Sequence, residues 1–369
     1  MTKQRFRVGI VGIQPGRSWG AMAHVPALRA LPDDFDIVGV ANTSHASAQA
    51  AAAACAIPQA FTSVAELVNS PEVDIVVVTV KVPHHFEIVK AAIHAGKQVY
   101  CEWPLGNGLA EAQELARLAH QKGVLGVVGT QAPFAPEIEY LSELIAEGYV
   151  GQVLSSTLIG SGMTWGPTVE GRNAYLLDRE NGATMLTIPF GHTMAAVRSV
   201  LGNVVEVSAR LANRRTSARV IETDETRPMT SHDQVLVDCL LDSGAPLCVH
   251  YRGGMPRGTG LLWEINGTEG DLQVKGENGH AQMVRLSIHG ARHEDKALCP
   301  LEVPHSYYAG WPQNAIPGNV ARVYATMAAD LRIGTRTAPT FDDAVALHRL
   351  IAAVETAAST ARRVSPLAF

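Results

Sequence analysis

Along the first 130 residues, short apolar runs alternate with stretches of helical periodicity. The runs cover 6–12 (FRVGIVG), 35–41, 73–80 (VDIVVVTV), 97–101 and 124–129. The segment 73–80 is β-branched and almost wholly apolar, as expected of a strand buried on both faces. Between the runs, helices are predicted over 19–30, 44–54, 63–69, 84–95 and 109–122. Gly96 and Gly123 stand where the last two should end. Strand–helix alternation with helix-length connections predicts a doubly wound parallel sheet.

After residue 130 the rhythm changes. A helix is predicted over 137–147. Alternating runs near 153–160, 204–211, 233–241, 246–252, 261–266 and 271–275 read as strands joined to one another. Asn266-Gly267 and Asn278-Gly279 are turn signals. Two helices, 319–331 and 342–362, close the chain, and Leu347, Leu350, Ile351, Val354 and Ala358 form one apolar stripe on the last. The expected α/β architecture is a Rossmann-type domain, 1–130, followed by an α+β domain, 131–369, with a mostly antiparallel open sheet. The last helix could pack back on the first domain.

Composition narrows the function classes. The chain has 369 residues, 47% of them hydrophobic, and a formal net charge of −5. That balance gives no electrostatic case for nucleic acid. No apolar run approaches the roughly 20 residues of a membrane helix, and the basic N-terminus leads into an apolar stretch that breaks at Pro15. The five cysteines form no C-x-x-C pair, which argues against a disulfide framework and for a reducing cytoplasm. His84 and His85 diverge on a helix, so no metal site is expected.

Candidate chemistry lies at strand ends, where the loops of an open α/β sheet bind ligands. The first strand leads into a turn with glycines at 12, 16 and 20. Its residues Gly12, Ile13, Gln14, Arg17 and Trp19 could approach a pyrophosphate at a helix N-terminus, or form a tight turn that binds nothing. The second strand ends in Asn42, Thr43 and Ser44 with no acid for a ribose 2′-hydroxyl. Thr43, Ser44 and Arg17 could accept a 2′-phosphate, so NAD and NADP both stay open. Another strand ends in Glu102-Trp103-Pro104. In the second domain, Trp165, Arg172 and Tyr175 stand among glycines, either to recognise a hydroxylated ligand or as an ordered surface loop.

Several segments together resemble the glucose–fructose oxidoreductase/inositol dehydrogenase (Gfo/Idh/MocA) family. They are RVGIVG, His24 before Pro26-Ala27-Leu28, VDIVVVTV followed by His85, CEWPLG at 101–106 and FGHT at 190–193. Within it the chain is most similar to the branch of the fungal galactose-regulon repressor, through Arg17-Ser18-Trp19, Glu102-Trp103, Gly191-His192-Thr193, GTEGDLQVKG at 267–276, NAIPGN at 314–319 and LHRLI at 347–351. The resemblance implies an NAD(P) cofactor contacted also by His85, Glu102 and Trp103; Lys81, which stands by topology at the same crevice where family members carry proline, could contact the cofactor ribose or be a solvated lysine at a strand end. It further implies a sugar-like or cyclic polyol or ketone substrate near Trp103 and His192, and a homodimer or homotetramer.

Two departures divide the functional expectation. Catalytic members carry lysine where this chain has Trp103, and aspartate where it has Ile188, four residues before His192. Oxidising an alcohol needs a base for its proton. His192 is the surviving match to a catalytic residue, and Lys81 stands at a strand end from which it could act as acid or base. One expectation is therefore an oxidoreductase with a rebuilt site. The alternative is a catalytically silent dinucleotide sensor that regulates a partner protein.

Overall fold

The computed structural model describes residues 5–369. The chain divides into two units: residues up to Gln131 with Gly310–Val345, and Ala132–Ala309 with Ala346–Phe369.

The first unit is a six-stranded sheet. Its strands are β1 (Phe6–Val11), β2 (Phe35–Ala41), β3 (Gln59–Ala60), β4 (Ile75–Val78), β5 (Gln98–Glu102) and β6 (Gly126–Gly129). Their spatial order is β3-β2-β1-β4-β5-β6, and every pairing is parallel. This is the doubly wound order, in which the direction of winding reverses between β1 and β4. Ile75, Val76, Val77 and Val78 are completely buried. At about 1.5–3 kcal/mol per buried side chain, β4 alone is a major source of stability.

The connecting helices are α1 (Val25–Arg29), α2 (His45–Ala54), α3 (Val64–Asn69), α4 (His85–His94) and α5 (Leu109–Lys122). Ser44 and Ser63 cap α2 and α3 by accepting from Ser47 and Glu66 amides. Gly123, in the left-handed region, closes α5. The predicted helix over 19–30 is present, but its first turn, Gly20–His24, is a π turn. Pro26, two residues on, has no N–H to donate back, while the Val25 N–H reaches Gly20 O.

The second unit opens with α6 (Pro136–Ala146) and contains α7 (Gly191–Leu201). Its strands are β7 (Val153–Ser161), β8 (Thr168–Val169), β9 (Val204–Ala212), β10 (Ser217–Val220), β11 (Thr226–Pro228), β12 (Gln234–Leu241), β13 (Pro246–Arg252), β14 (Leu261–Gly267), β15 (Gly270–Gly276), β16 (Ser287–Arg292) and β17 (Cys299–Leu301). Eight form one sheet in the order β17-β16-β15-β14-β7-β13-β12-β9, and β11-β10-β8 form a small second sheet. In β12, Val235, Val237, Cys239 and Leu241 are buried while the residues between them are not, the period-two pattern of a sheet with one covered face. The large sheet is antiparallel except where β13 runs parallel to β7.

Some sequence expectations shift. Asn266-Gly267 belongs to the end of β14, and the chain reverses at Thr268 and Glu269. α7 and six short strands, β3, β8, β10, β11, β16 and β17, were not anticipated. α8 (Ala315–Ile333) starts four residues early because Asn314 accepts the Ile316 N–H and Pro317 falls in the first turn, where proline is tolerated. α9 (Phe341–Thr360) is shared between the units. Among the described residues, no helix is long and apolar enough to cross a membrane.

Candidate functional site

In the first unit the carboxyl ends of β1, β4 and β5 carry the candidate residues. Gly12, directly after β1, has φ +103°, which favours glycine, and a Cβ there would lie 2.8 Å from Val80 Cγ1. A Cβ on Gly20 would lie 2.7 Å from Thr79 Oγ1. The two glycines thus bring the turn and the helix that follows against the end of β4. Asn42 fixes the turn: its Oδ1 accepts the Ile13 N–H at 2.9 Å, and its Nδ2 donates to Ile13 O at 2.8 Å and Ser47 O at 3.0 Å. The Asn42 amide is therefore spent on the backbone, and Ser44 on capping α2. Ile13 is buried, whereas Gln14, Arg17, Thr43 and Ser44 are exposed.

Near the carboxyl ends of these strands, the buried polar atoms Trp19 Nε1 and Gln131 Oε1 have no hydrogen-bond partner among the described residues. One is a donor and the other an acceptor, and an unpaired buried polar group costs about 1–3 kcal/mol. A ligand donor or acceptor could satisfy either atom, and a dinucleotide carries both kinds of group.

Glu102 ends β5 as a buried carboxylate. Its Oε1 accepts from His24 Nε2 at 2.9 Å and from Gln131 Nε2 at 2.8 Å. The His24 Nε2 proton goes to the carboxylate, so Nδ1 accepts the Tyr324 hydroxyl at 2.7 Å. Burial, with Tyr100 and Glu102 nearby, pushes the Tyr324 phenol well above its ordinary range. Gly129 is required beside this group, because a Cβ would collide with the Glu102 carboxylate.

Trp103 is buried, and its bond to Pro104 is cis. The carbonyl of Pro104 lies 2.8 Å from His85 Nδ1, and the carbonyl of Val80 lies 2.9 Å from His85 Nε2. His85 thus ties the end of β4 to the loop after β5. Burial lowers its pKa, and the two carbonyls and Glu102 act against that. Lys81 is exposed and precedes a short 3₁₀ turn, Val82–His84.

The second unit holds the other candidates. A π turn, Leu186–Phe190, contains Pro189 and runs into α7, whose second residue is His192. His192 is 4% exposed, and its Nδ1 has no partner among the described residues. Burial, with the nearby His280, lowers its pKa to about 3. The ring is neutral at pH 7, a hydrogen-bonding group and a weak base. Ile188 stands one turn earlier, half-buried.

The next residue, Thr193, is braced. The Tyr251 hydroxyl lies 2.6 Å from Thr193 Oγ1 and 2.8 Å from the carbonyl of Gly279. Neither brace nor turn was legible in the sequence. Trp165 is buried, and its indole N–H donates to Leu176 O at 2.9 Å, so its polar atom serves packing within the unit. Arg172 is exposed and pairs with Glu170 at 2.5 Å, and Tyr175 is half-buried. No group of histidine, cysteine, aspartate or glutamate that could hold a metal occurs among the described residues.

Residues 6–130 match the family described as oxidoreductase family, NAD-binding Rossmann fold (Gfo/Idh/MocA), and residues 136–276 match Gal80p, C-terminal domain. The chain is 27% identical to the galactose/lactose metabolism regulatory protein GAL80 of Saccharomyces cerevisiae, covering 95% of this chain and 92% of that protein. It is 29% identical to GAL80 of Kluyveromyces lactis, where the match spans 77% of this chain and 66% of the relative. It is also 27% identical to the dehydrogenase aclE of Aspergillus oryzae over 95% of both chains. The crystal structure of the transcriptional regulator Gal80p from Kluyveromyces lactis superposes with a TM-score of 0.87 at 27% identity, covering 99% of this chain and 92% of that one.

Proposed function

We propose that this chain, whose residues 6–130 match the Gfo/Idh/MocA oxidoreductase family and whose residues 136–276 match the Gal80p C-terminal domain, is an NAD(P)-dependent oxidoreductase of a sugar-like or cyclic alcohol or ketone. The observation that carries the reading is the cradle after β1. Gly12 and Gly20 let the turn close on the end of β4, Trp19 Nε1 between them is left unpaired, and so is Gln131 Oε1 after β6. A nicotinamide dinucleotide would supply the hydride acceptor or donor. Gly12, Ile13, Gln14, Arg17 and Trp19 would hold its phosphates, and Thr43 and Ser44 its ribose. Lys81, His85, Glu102 and Trp103 would shape the end of the cradle nearest β4 and β5.

His192 carries the substrate-facing role. A neutral imidazole accepts a hydrogen bond from a hydroxyl or donates one to a carbonyl, whichever tautomer the ligand selects. A buried ring with its pKa near 3 orients the oxygen better than it removes a proton, so Lys81 is the group we assign to proton exchange. Trp103 offers a flat apolar wall to a ring. Trp165, Arg172 and Tyr175 bound the loop that completes recognition in the second unit.

The full-length match to a dehydrogenase supports this reading. The alignment to the yeast regulator runs over 403 positions, against 369 residues here, so that relative carries inserted segments this chain lacks. The second reading, a dinucleotide-dependent regulator with a protein partner, is favoured by Trp103 and Ile188, which cannot exchange protons. A cytoplasmic location and a homodimeric or homotetrameric assembly belong to the same proposal.

The test is reduced-nicotinamide absorbance with NAD or NADP and a panel of sugars, inositols, alicyclic diols and their ketones. Turnover that disappears in His192→Ala supports the enzyme. Cofactor binding without turnover in the parent, with activity gained in Trp103→Lys, supports the regulator.

A further inference from the structure

A second buried histidine lies on the turn after β15, beside the start of α7. His280 is 7% exposed, and its Nε2 lies 3.0 Å from the carbonyl of Gly162. A carbonyl only accepts, so Nε2 carries the proton and Nδ1 keeps its lone pair. The amide Nε2 of Gln282 reaches that lone pair at 3.4 Å, a long and weak contact. Burial lowers the His280 pKa, and the hydrogen bond to Gly162 acts against that.

The turn is held against rotation. The Gly279 N–H donates to Ser161, 3.1 Å from its carbonyl and 3.2 Å from Oγ, and the Gly279 carbonyl takes the Tyr251 hydroxyl. A Cβ on Gly279 would collide with the Ser161 backbone. The tautomer of His280 is therefore fixed by the fold rather than chosen by a ligand. An atom held as acceptor suits a hydroxyl and faces the oxygen of a ketone with two opposed lone pairs.

We propose that His280 Nδ1 accepts a hydrogen bond from a substrate hydroxyl, which makes the turn from Gly279 to Gln282 a specificity element for uncharged diols and polyols. The clustered groups, Ser161, His192, Thr193, Tyr251, His280 and Gln282, include no acid, so nothing there compensates a buried cation. His192 meets one oxygen of the ligand and His280 a second. This rests on the oxidoreductase reading only for the identity of the site, since binding is measured apart from turnover.

The test uses the full chain with saturating NAD or NADP and two probes, myo-inositol and cyclohexanediol. His280→Gln keeps an N–H where Nε2 donates to Gly162 but removes the acceptor. His280→Asn keeps an acceptor where Nδ1 stands. The expected result is an affinity loss of about tenfold or more for His280→Gln and about threefold or less for His280→Asn. In ¹⁵N-histidine spectra the parent's Nδ1 is unprotonated and shifts when the probe binds. Equal losses in both variants that follow thermal stability, a protonated Nδ1, or no binding of either probe would overturn the proposal. Binding without turnover sinks the oxidoreductase reading and leaves His280 standing. Turnover with parental affinity in His280→Gln does the reverse.

Discussion

At the scale of single residues, the histidines divide by what occupies their nitrogens. His24 and His85 have partners on both, whereas His192 has Nδ1 free of any described partner. Loss of a preorganised side chain that hydrogen-bonds the reacting oxygen costs about 10²–10³-fold in rate. His192→Ala should show that loss with unchanged thermal stability, while Lys81→Ala should lower turnover and flatten its pH profile. Parental turnover in Lys81→Ala would remove Lys81 from the mechanism. Glu102→Leu should cost about 3 kcal/mol in denaturant unfolding, because the buried His24 N–H and Gln131 amide lose their shared acceptor.

Burial also predicts acid sensitivity. His192 and His348 both have pKa values near 3 in the folded chain, lowered by burial, against about 6.5 when unfolded. Between those values the unfolded chain binds more protons, so stability is full above the unfolded pKa and falls as pH drops. At pH 5 each histidine should cost about 2 kcal/mol relative to pH 8. Unfolding measured at both values checks this, and His192→Gln should remove part of the difference. A pH-independent midpoint in the parent would contradict it.

At the scale of elements, much was legible because local rules act over a few residues. β2 and α5 start and stop where periodicity and the Gly123 stop signal placed them. The glycine turn was legible as a possible ligand cradle. The Glu102 group was not, since its partners lie 78, 29 and, through His24, a further 300 residues away in sequence. His280 follows an Asn-Gly turn and carries no periodic signal of its own. Its role comes from Gly162, 118 residues earlier. One π turn ends in His24, two residues before Pro26, and the other contains Pro189 and runs into α7 with His192. A search for prolines inside helical patterns would have flagged the first, since Pro26 lies in the helix predicted over 19–30.

One element ends on a single carboxylate. Asp330 accepts from the Thr335 hydroxyl at 2.6 Å, from the Thr337 amide and hydroxyl at 2.8 Å each, and from the Ala338 amide at 2.8 Å. Burial acts to raise its pKa, but these hydrogen bonds outweigh it and the net shift is downward. Its contribution is present above the unfolded pKa and is lost as pH falls through the lower folded one. Asp330→Ala should lower the unfolding midpoint by about 2–3 kcal/mol at pH 7, with a smaller difference in strong acid. Equal destabilisation at both pH values would refute the assignment.

At the scale of the whole molecule, the fold class was legible and the course of the chain was not. Strand–helix alternation announces a parallel sheet, and the order β3-β2-β1-β4-β5-β6 follows from its physics. That α8 belongs to the first unit could not be read from an apolar stripe, which says that a helix is covered but not by what. Cofactor binding should stabilise the parent chain by about 2.7 kcal/mol at a hundredfold excess over Kd. A melting curve with each dinucleotide, run on the parent and on Gly20→Ala, should show a shift that shrinks in the variant. Equal shifts in both would place the dinucleotide away from the glycine turn.

The first unit's last strand carries a consequence for synthesis. Val128 of β6 donates its N–H to Pro339 O at 2.8 Å, and Val127 bridges Thr340. The segment that covers this edge lies more than two hundred residues downstream. At about 5–20 residues per second a ribosome needs roughly 10–40 s to deliver it. During that interval the nascent sheet waits with one border open, while the whole second unit except its final helical segment emerges. Slowing translation after residue 131 should therefore lengthen exposure to chaperones and lower soluble yield, whereas supplying 310–369 in trans should rescue an otherwise incomplete amino-terminal fragment.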